Sequence, residues 1–190
     1  GDKTVQYATV LNNLAGTYRL AGKYEEAADL FHESALIYST TIGKDNSYYC
    51  SILNNLALVY QDMKEYGKAE EMLANALKSS RTLKNSQMDV AITYSNLGAL
   101  YLEMGDYERA EEDLRESVDI YEQLDTNHQV HLASVYNSLG ILYYKQGKLE
   151  EAKAAYQQAL ELTLYHYGKN HEYEILCRNI AAIEEAVQEA

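Results

Sequence analysis

The sequence predicts an all-α fold of antiparallel helix pairs stacked along the chain, and three observations support this prediction. None of the 190 residues is proline, so the commonest helix breaker is absent. Hydrophobic residues make up 47% of the chain and recur at helical spacing. Similar segments return at intervals of 41 or 42 residues, which is typical of helical-repeat architectures.

Three columns of identical residues define the repeats. Their members are Leu14, Leu56, Leu97 and Leu139; Tyr18, Tyr60, Tyr101 and Tyr143; and Ala27, Ala69, Ala110 and Ala152. Because the independent columns keep one register, we predict four repeats, at about residues 4–44, 46–85, 87–126 and 128–168.

Each repeat is predicted to begin with an amphipathic first helix, as the apolar residues Val5, Ala8, Leu11 and Tyr18 indicate for the first repeat. A short break follows, and glycine in that break, as at Gly22, suits the left-handed end of a helix. Breaks this short force the second helix to fold back antiparallel on the first.

The second helices are predicted over about Tyr24–Thr41, Tyr66–Leu83, Tyr107–Leu124 and Leu149–Tyr167. Gly98 and Gly140 in the first helices indicate close packing, because mid-helix glycine costs about 1 kcal/mol relative to alanine. A last segment over residues 171–189 matches another first helix, and its acidic outer face suits a C-terminal capping helix. In a longer polypeptide it would instead be half of a further repeat. We therefore predict a single domain over residues 1–190.

Charge and composition disfavour several classes of partner. The chain carries 29 acidic and 16 basic residues, for a net charge of −13. Nucleic-acid phosphates require lysine and arginine, and an anionic membrane repels an acidic surface, so we expect neither partner. For Cys50 and Cys177, we favour buried free thiols in a cytoplasmic protein over a disulfide. Because the chain begins at Gly1 rather than Met, we expect an excised or tagged polypeptide.

The third repeat shows the fullest motif, at Tyr94, Leu97, Gly98, Tyr101, Gly105, Tyr107, Ala110, Leu114 and Ser117. This pattern resembles the tetratricopeptide repeat family over essentially the whole chain. The period of 41 or 42 residues exceeds the family's usual 34, and the usual proline is absent. Longer helices and the Asn-Asn-Leu-Ala segment resemble the kinesin-light-chain type. The resemblance implies an α-α superhelix, a right-handed solenoid whose first helices line a concave groove.

Asparagine recurs on the predicted groove face of the first helices. The candidate peptide-binding residues of this type are Asn12, Asn13, Asn54, Asn55, Asn96 and Asn137. An asparagine amide both donates and accepts, so it can pair with an extended peptide backbone whatever the side chains of that peptide are. The other interpretation is that these amides bridge neighbouring helices or contact water.

The remaining candidate groove residues form a gradient along the chain. Arg19 lies in the first repeat, whereas Ile92, Leu102, Ile141 and Tyr144 lie in the third and fourth. Apolar residues exposed in a concavity favour ligand binding, so we expect apolar anchors of the partner near the later repeats. Alternatively, Ile92 and Ile141 complete the packing between first helices.

Five tyrosines lie outside the repeat pattern: Tyr48, Tyr49, Tyr165, Tyr167 and Tyr173. They form a contact surface or fill the extra helical turn that the long period provides. We favour the second interpretation.

The sequence contains no phosphate loop, nucleophile motif or metal-ligand spacing, so we predict no enzyme activity, no cofactor and no metal site. The leading hypothesis is a protein–protein interaction module. The alternatives are a regulatory or sensor array of a larger signalling protein, and a self-assembling scaffold. The scaffold would form a homo-oligomer through the C-terminal helix by burying Ile175, Ile183 and Val187 between chains.

Overall fold

The computed structural model describes residues 4–83, 86–124 and 129–188. Within these ranges the regular elements are all helical, which confirms the predicted all-α class. The helices are α1 Val5–Leu20, α2 Tyr24–Thr41, α3 Ser47–Asp62, α4 Tyr66–Arg81, α5 Gln87–Met104, α6 Tyr107–Gln123, α7 Leu132–Lys145, α8 Leu149–Tyr167 and α9 His171–Gln188. A short 3-10 helix, Gln129–His131, leads into α7. Every predicted helix is present, although α4 and α6 end before the predicted Leu83 and Leu124.

The chain divides into two compact units, residues 1–100 and residues 101–190. The N-terminal unit holds the α1–α2 and α3–α4 hairpins and most of α5. The C-terminal unit holds α6, the α7–α8 hairpin and α9, which packs on α8. The prediction of a single domain over residues 1–190 stays a prediction.

One turn geometry closes the first helix of every repeat. The amide N–H of Lys23 donates to the carbonyl oxygen of Tyr18 at 2.9 Å, across a left-handed Gly22. This bond satisfies a carbonyl group that the end of the helix leaves open. The same bond occurs from Glu65 to Tyr60, from Asp106 to Tyr101 and from Lys148 to Tyr143. Gly105 and Gly147 provide the left-handed residue in two repeats, whereas in the second repeat Lys64 adopts it, with φ 63°.

Small residues allow the two helices of each hairpin to approach. The alanine column of the second helices is fully buried, with Ala27, Ala69, Ala110 and Ala152 all at 0% exposure. A Cβ atom added to Gly140 would lie 2.5 Å from the ring of Tyr156. The close packing predicted at Gly140 is therefore confirmed, because no larger residue fits there without moving the ring.

An ion-pair network joins α6 to the α7–α8 hairpin inside the C-terminal unit. The Glu111 carboxylate accepts hydrogen bonds from the Tyr143 hydroxyl at 2.9 Å and from Arg115 Nε at 3.1 Å. Lys148 Nζ lies 3.6 Å from the same carboxylate. Burial raises the pKa of Glu111, but the hydrogen bonds from Tyr143 and Arg115 outweigh it and leave the pKa below its usual range.

The C-terminal helix α9 is held by its own chain. Leu176 is 0% exposed and Ile183 is 1% exposed. The proposed burial of Ile183 between chains is therefore corrected, because this side chain already lies in the interior of the C-terminal unit. Val187 remains 42% exposed. Both cysteines are free thiols, with Cys50 buried and Cys177 half-buried.

Candidate functional site

The first helices of the N-terminal unit are joined by asparagine side chains. Asn55 Nδ2 donates to Asn12 Oδ1 at 3.4 Å and so connects α3 to α1. Asn96 Nδ2 donates to Asn54 Oδ1 at 2.8 Å and connects α5 to α3. Four of the six candidate asparagines therefore form an asparagine ladder between neighbouring first helices, as the alternative interpretation held.

Asn54 is buried, which corrects its predicted role as a peptide contact. Its side chain is 5% exposed, and Nδ2 donates to the Cys50 carbonyl and to Thr93 Oγ1, both at 3.0 Å. With Oδ1 occupied by Asn96, the amide has no surface to offer a partner. The adjacent Cys50 belongs to the same interior, and burial raises the pKa of its thiol.

Asn13 differs from the ladder residues because it is exposed on α1. Asn55 and Asn96 are half-buried, so part of each remains accessible beside its ladder bond. Arg19, the basic candidate of the first repeat, is engaged by Asp62 of α3, with Nε donating to Oδ2 at 2.6 Å. The Arg19 charge is therefore matched within the chain.

A cavity of about 210 Å³ opens beside Asn13 in the N-terminal unit. Its walls include Thr9, Asn12 and Asn13 from α1 and Ser51 from α3. Tyr38 of α2 and Tyr48 of α3 also line it, and their rings stack with centroids 5.4 Å apart. The Tyr38 hydroxyl lies in a 2.7 Å hydrogen bond with Thr9 Oγ1, which fixes this ring at the base. We call this the first-repeat cavity.

The C-terminal unit contains a cavity of about 450 Å³ at the corresponding place in the fourth repeat. Ser134 and Asn137 of α7 line it, and they occupy the repeat positions of Thr9 and Asn12. Thr163 of α8 lines it where the first repeat has Tyr38. We call this the fourth-repeat cavity.

One buried column of residues in the second helices includes the side chains that line both cavities, Tyr38 and Thr163. The column consists of Tyr38, Ser80, Tyr121 and Thr163, at exposures of 2%, 0%, 1% and 1%. Large and small residues alternate along it. The fourth-repeat cavity is larger than the first-repeat cavity at a position where threonine replaces tyrosine.

The apolar candidates are divided between the two units. Ile92 lies in the N-terminal unit and is half-buried, whereas Leu102, Ile141 and Tyr144 lie in the C-terminal unit. Leu102 and Ile141 are half-buried, and Tyr144 is 52% exposed. The predicted apolar gradient stays a prediction.

The tyrosines outside the repeat pattern are the residues whose role the sequence most underestimated. Tyr48, Tyr165 and Tyr167 are exposed at 62%, 78% and 56%, so they do not fill the extra turn as favoured. Tyr48 lines the first-repeat cavity and Tyr167 the fourth-repeat cavity. Their position beside the loops between repeats was the available signal, because loops and helix ends commonly carry binding residues.

These helix pairs, with their constant turn and buried alanine column, define the class of helical-repeat proteins. The tetratricopeptide repeat family model matches residues 6–86 and 89–164, so the chain belongs to the tetratricopeptide repeat family. Proteins of this family generally act as protein–protein interaction modules and are typically non-catalytic. Among the described helices, none has the length and apolar character needed to cross a membrane.

One sequence relative and two solved structures show what the chain is similar to. The "Tetratricopeptide repeat protein 19 homolog, mitochondrial" of Drosophila melanogaster is 34% identical over 68 residues, which is 36% of this chain and 18% of that protein. The structure of BtubC (BKLC) from P. vanneervenii has a TM-score of 0.73 at 23% identity, covering 86% of this chain and 65% of that one. A Podosopora anserina protein described as a kinesin light chain with nearly identical TPR-like repeats has a TM-score of 0.75 at 18% identity.

The Podosopora anserina match covers 97% of this chain and 88% of that one. It confirms the predicted fold class, and by its description this structural neighbour is of the kinesin-light-chain type. The chain spans less than two thirds of the BtubC structure and a fifth or less of the Drosophila protein.

Proposed function

We propose that this chain is an interaction module that binds an extended segment of a partner protein along the first-helix face of its N-terminal unit. The observation that carries the proposal is the first-repeat cavity, which opens on that face beside the exposed amide of Asn13. The membership of the chain in a family of interaction modules supports it. This face is the part of the implied concave groove that the N-terminal unit contains.

Some asparagines form the ladder and another, Asn13, is exposed on the same face, and this arrangement supports an extended ligand. The ladder holds the first helices at a fixed spacing, while Asn13, Thr9 and Ser51 remain exposed on the same face. Exposed amides and hydroxyls can donate to and accept from a peptide backbone. A cavity of about 210 Å³ has room for one side chain of that peptide, against the exposed ring of Tyr48.

The predicted apolar anchors, Ile92, Leu102, Ile141 and Tyr144, belong to the same proposal as contacts for the side chains of the partner. We place the function in the cytoplasm, on the free thiols of Cys50 and Cys177. The name of the Drosophila relative includes the word mitochondrial. Fractionation of cells that express the full-length protein would test the cytoplasmic location directly.

The proposal is tested with peptides selected from a random display library on the immobilised chain. The double substitution Asn13→Ala, Tyr48→Ala should weaken the selected peptides about tenfold or more, because an exposed aromatic side chain in a cavity is a typical binding hot spot. Affinities are measured by fluorescence anisotropy with labelled peptides.

The matched control is Asn75→Ala, Tyr165→Ala, which removes one exposed asparagine and one exposed tyrosine from the second helices α4 and α8. Circular dichroism verifies that both variants keep their helix content. Equal affinities for the two double variants, or a library without binders, would contradict binding at this face.

A further inference from the structure

The fourth-repeat cavity has a feature that its counterpart in the first repeat lacks. Asn137 lines the cavity, and its Oδ1 atom is buried and accepts no hydrogen bond. In the ladder, Asn12 Oδ1 accepts from Asn55, and Asn54 Oδ1 accepts from Asn96. The residue of α9 in the register of Asn55 and Asn96 is Asn179, but its amide does not donate to Asn137 Oδ1, so the ladder bond is not formed here.

An unpaired buried acceptor is costly, since its desolvation is not compensated by a hydrogen bond. It is therefore suited to a donor brought by a ligand. The wall of the cavity also favours a ligand that donates hydrogen bonds, because Glu172 contributes a carboxylate. Ser134 Oγ donates to the His131 carbonyl at 2.8 Å, which leaves the lone pairs of that hydroxyl as acceptors.

A flat cationic group fits the remaining wall. Tyr167 lines the cavity and is 56% exposed, so part of its side chain is accessible to a ligand. A guanidinium group is planar, always charged and carries five N–H donors, and it stacks on aromatic rings better than an ammonium group does. The volume of about 450 Å³ accommodates a complete arginine side chain.

We propose that the fourth-repeat cavity binds an arginine side chain of the partner peptide. The guanidinium donates one N–H to Asn137 Oδ1 and others to the Glu172 carboxylate, and its plane lies against Tyr167. This inference rests on the proposed function, because it assigns part of the specificity of an interaction module. The net charge of −13 favours the approach of such a basic segment.

The test uses N-acetyl-arginine amide as the probe and the neutral isostere N-acetyl-citrulline amide as its control, titrated into ¹⁵N-labelled protein at about pH 8, where histidine is ordinarily neutral. We expect saturable chemical-shift changes at residues 131–137 and 170–172 with arginine, and about tenfold weaker binding with citrulline. Equal responses to both probes, or no saturable response to arginine, would overturn the proposal.

Two substitutions assign the contacts. Glu172→Gln should weaken the arginine probe about tenfold, whereas Glu174→Gln makes the same charge change outside the cavity and should leave binding unchanged. Asn137→Leu should also weaken the probe without lowering the melting temperature, because it removes an acceptor that is unpaired in the free protein. Equal effects of both glutamate variants, or a destabilised Asn137→Leu protein, contradict the assignment.

The two proposals fail separately. If Asn13→Ala, Tyr48→Ala weakens selected peptides but arginine does not titrate, only the arginine site is wrong. If arginine titrates as expected while no peptide is selected, the cavity binds a guanidinium and the interaction function is wrong. Agmatine carries the guanidinium without a peptide backbone, and binding of agmatine but not of N-acetyl-arginine amide would overturn the peptide as the source.

Discussion

At the scale of the residue, asparagine occupies two different environments on neighbouring first helices. Asn54 is buried and bonded on both sides of its amide, whereas Asn13 is exposed on the neighbouring helix. The sequence places both on one face but does not separate them, because the difference depends on which side chain of the next repeat reaches each amide. The asparagine columns could be predicted from the repeat register, and their division into ladder and surface could not.

This difference predicts opposite consequences for two identical substitutions. Asn54→Ala should lower the free energy of unfolding by about 2 kcal/mol, because it leaves Thr93 and Asn96 without their partner in the interior. Asn13→Ala should change it by less than about 0.5 kcal/mol, as is usual at exposed positions. Urea unfolding followed by circular dichroism measures both, and similar losses in the two variants would contradict the ladder.

At the scale of the element, helix starts were easier to predict than helix ends. The turn after each first helix is local, so the left-handed residue, glycine in three repeats and Lys64 in the second, and the residue after it mark the start of the second helix. The end of α4 lies beside a distant contact: the single hydroxyl proton of Thr82 is shared between the Asp45 carboxylate of the loop before α3, at 2.9 Å, and the local Ser79 carbonyl, at 2.6 Å. The contact with Asp45 is not visible in local sequence, and α4 ends before the predicted Leu83.

The left-handed turns provide a prediction for the second repeat. Lys64 has a φ of 63°, a left-handed conformation that costs a residue with a side chain roughly 1–2 kcal/mol. Substitution by glycine removes this cost, but glycine has more conformational freedom in the unfolded chain, which cancels part of the gain. Lys64→Gly should therefore raise the free energy of unfolding by about 0.5–1 kcal/mol.

The reciprocal substitution, Gly105→Ala, should lower the free energy of unfolding by about 1 kcal/mol. No neighbouring atom lies within 4 Å of the added Cβ, so the effect is conformational rather than steric. Thermal and urea denaturation report both changes. A destabilised Lys64→Gly protein would show that the contact of Lys64 with the Tyr66 ring outweighs the backbone term.

At the scale of the whole molecule, each unit is stabilised by contacts between neighbouring elements, as expected for repeat proteins. The position of a helix in its unit therefore affects how well it is covered. Leu14 of α1 and Leu56 of α3 occupy the same repeat position, yet Leu14 is 40% exposed and Leu56 is fully buried. The repeat register predicted both as framework residues, and it cannot report how many neighbours a given repeat has.

Because α3 is buried by more neighbouring helices than α1, we expect the two helices to differ in protection from hydrogen exchange. Amides in the middle of α3 should exchange about tenfold or more slowly than those in the middle of α1, because α3 packs on α2, α4 and α1. Exchange followed by mass spectrometry resolves the two helices at peptide level. Equal protection would indicate that the unit opens as one cooperative body.

Tyrosine alternates with serine or threonine in the buried column of the second helices, so side-chain volume in this column has a period of two repeats. The first-repeat cavity lies against a tyrosine of this column, and the larger fourth-repeat cavity lies against a threonine. The substitution Thr163→Tyr should fill part of the fourth-repeat cavity and leave the asparagine ladder of the N-terminal unit unchanged. We therefore expect substitutions in this column to change the size of one cavity at a time, with Tyr38 the member that also bonds Thr9 of α1.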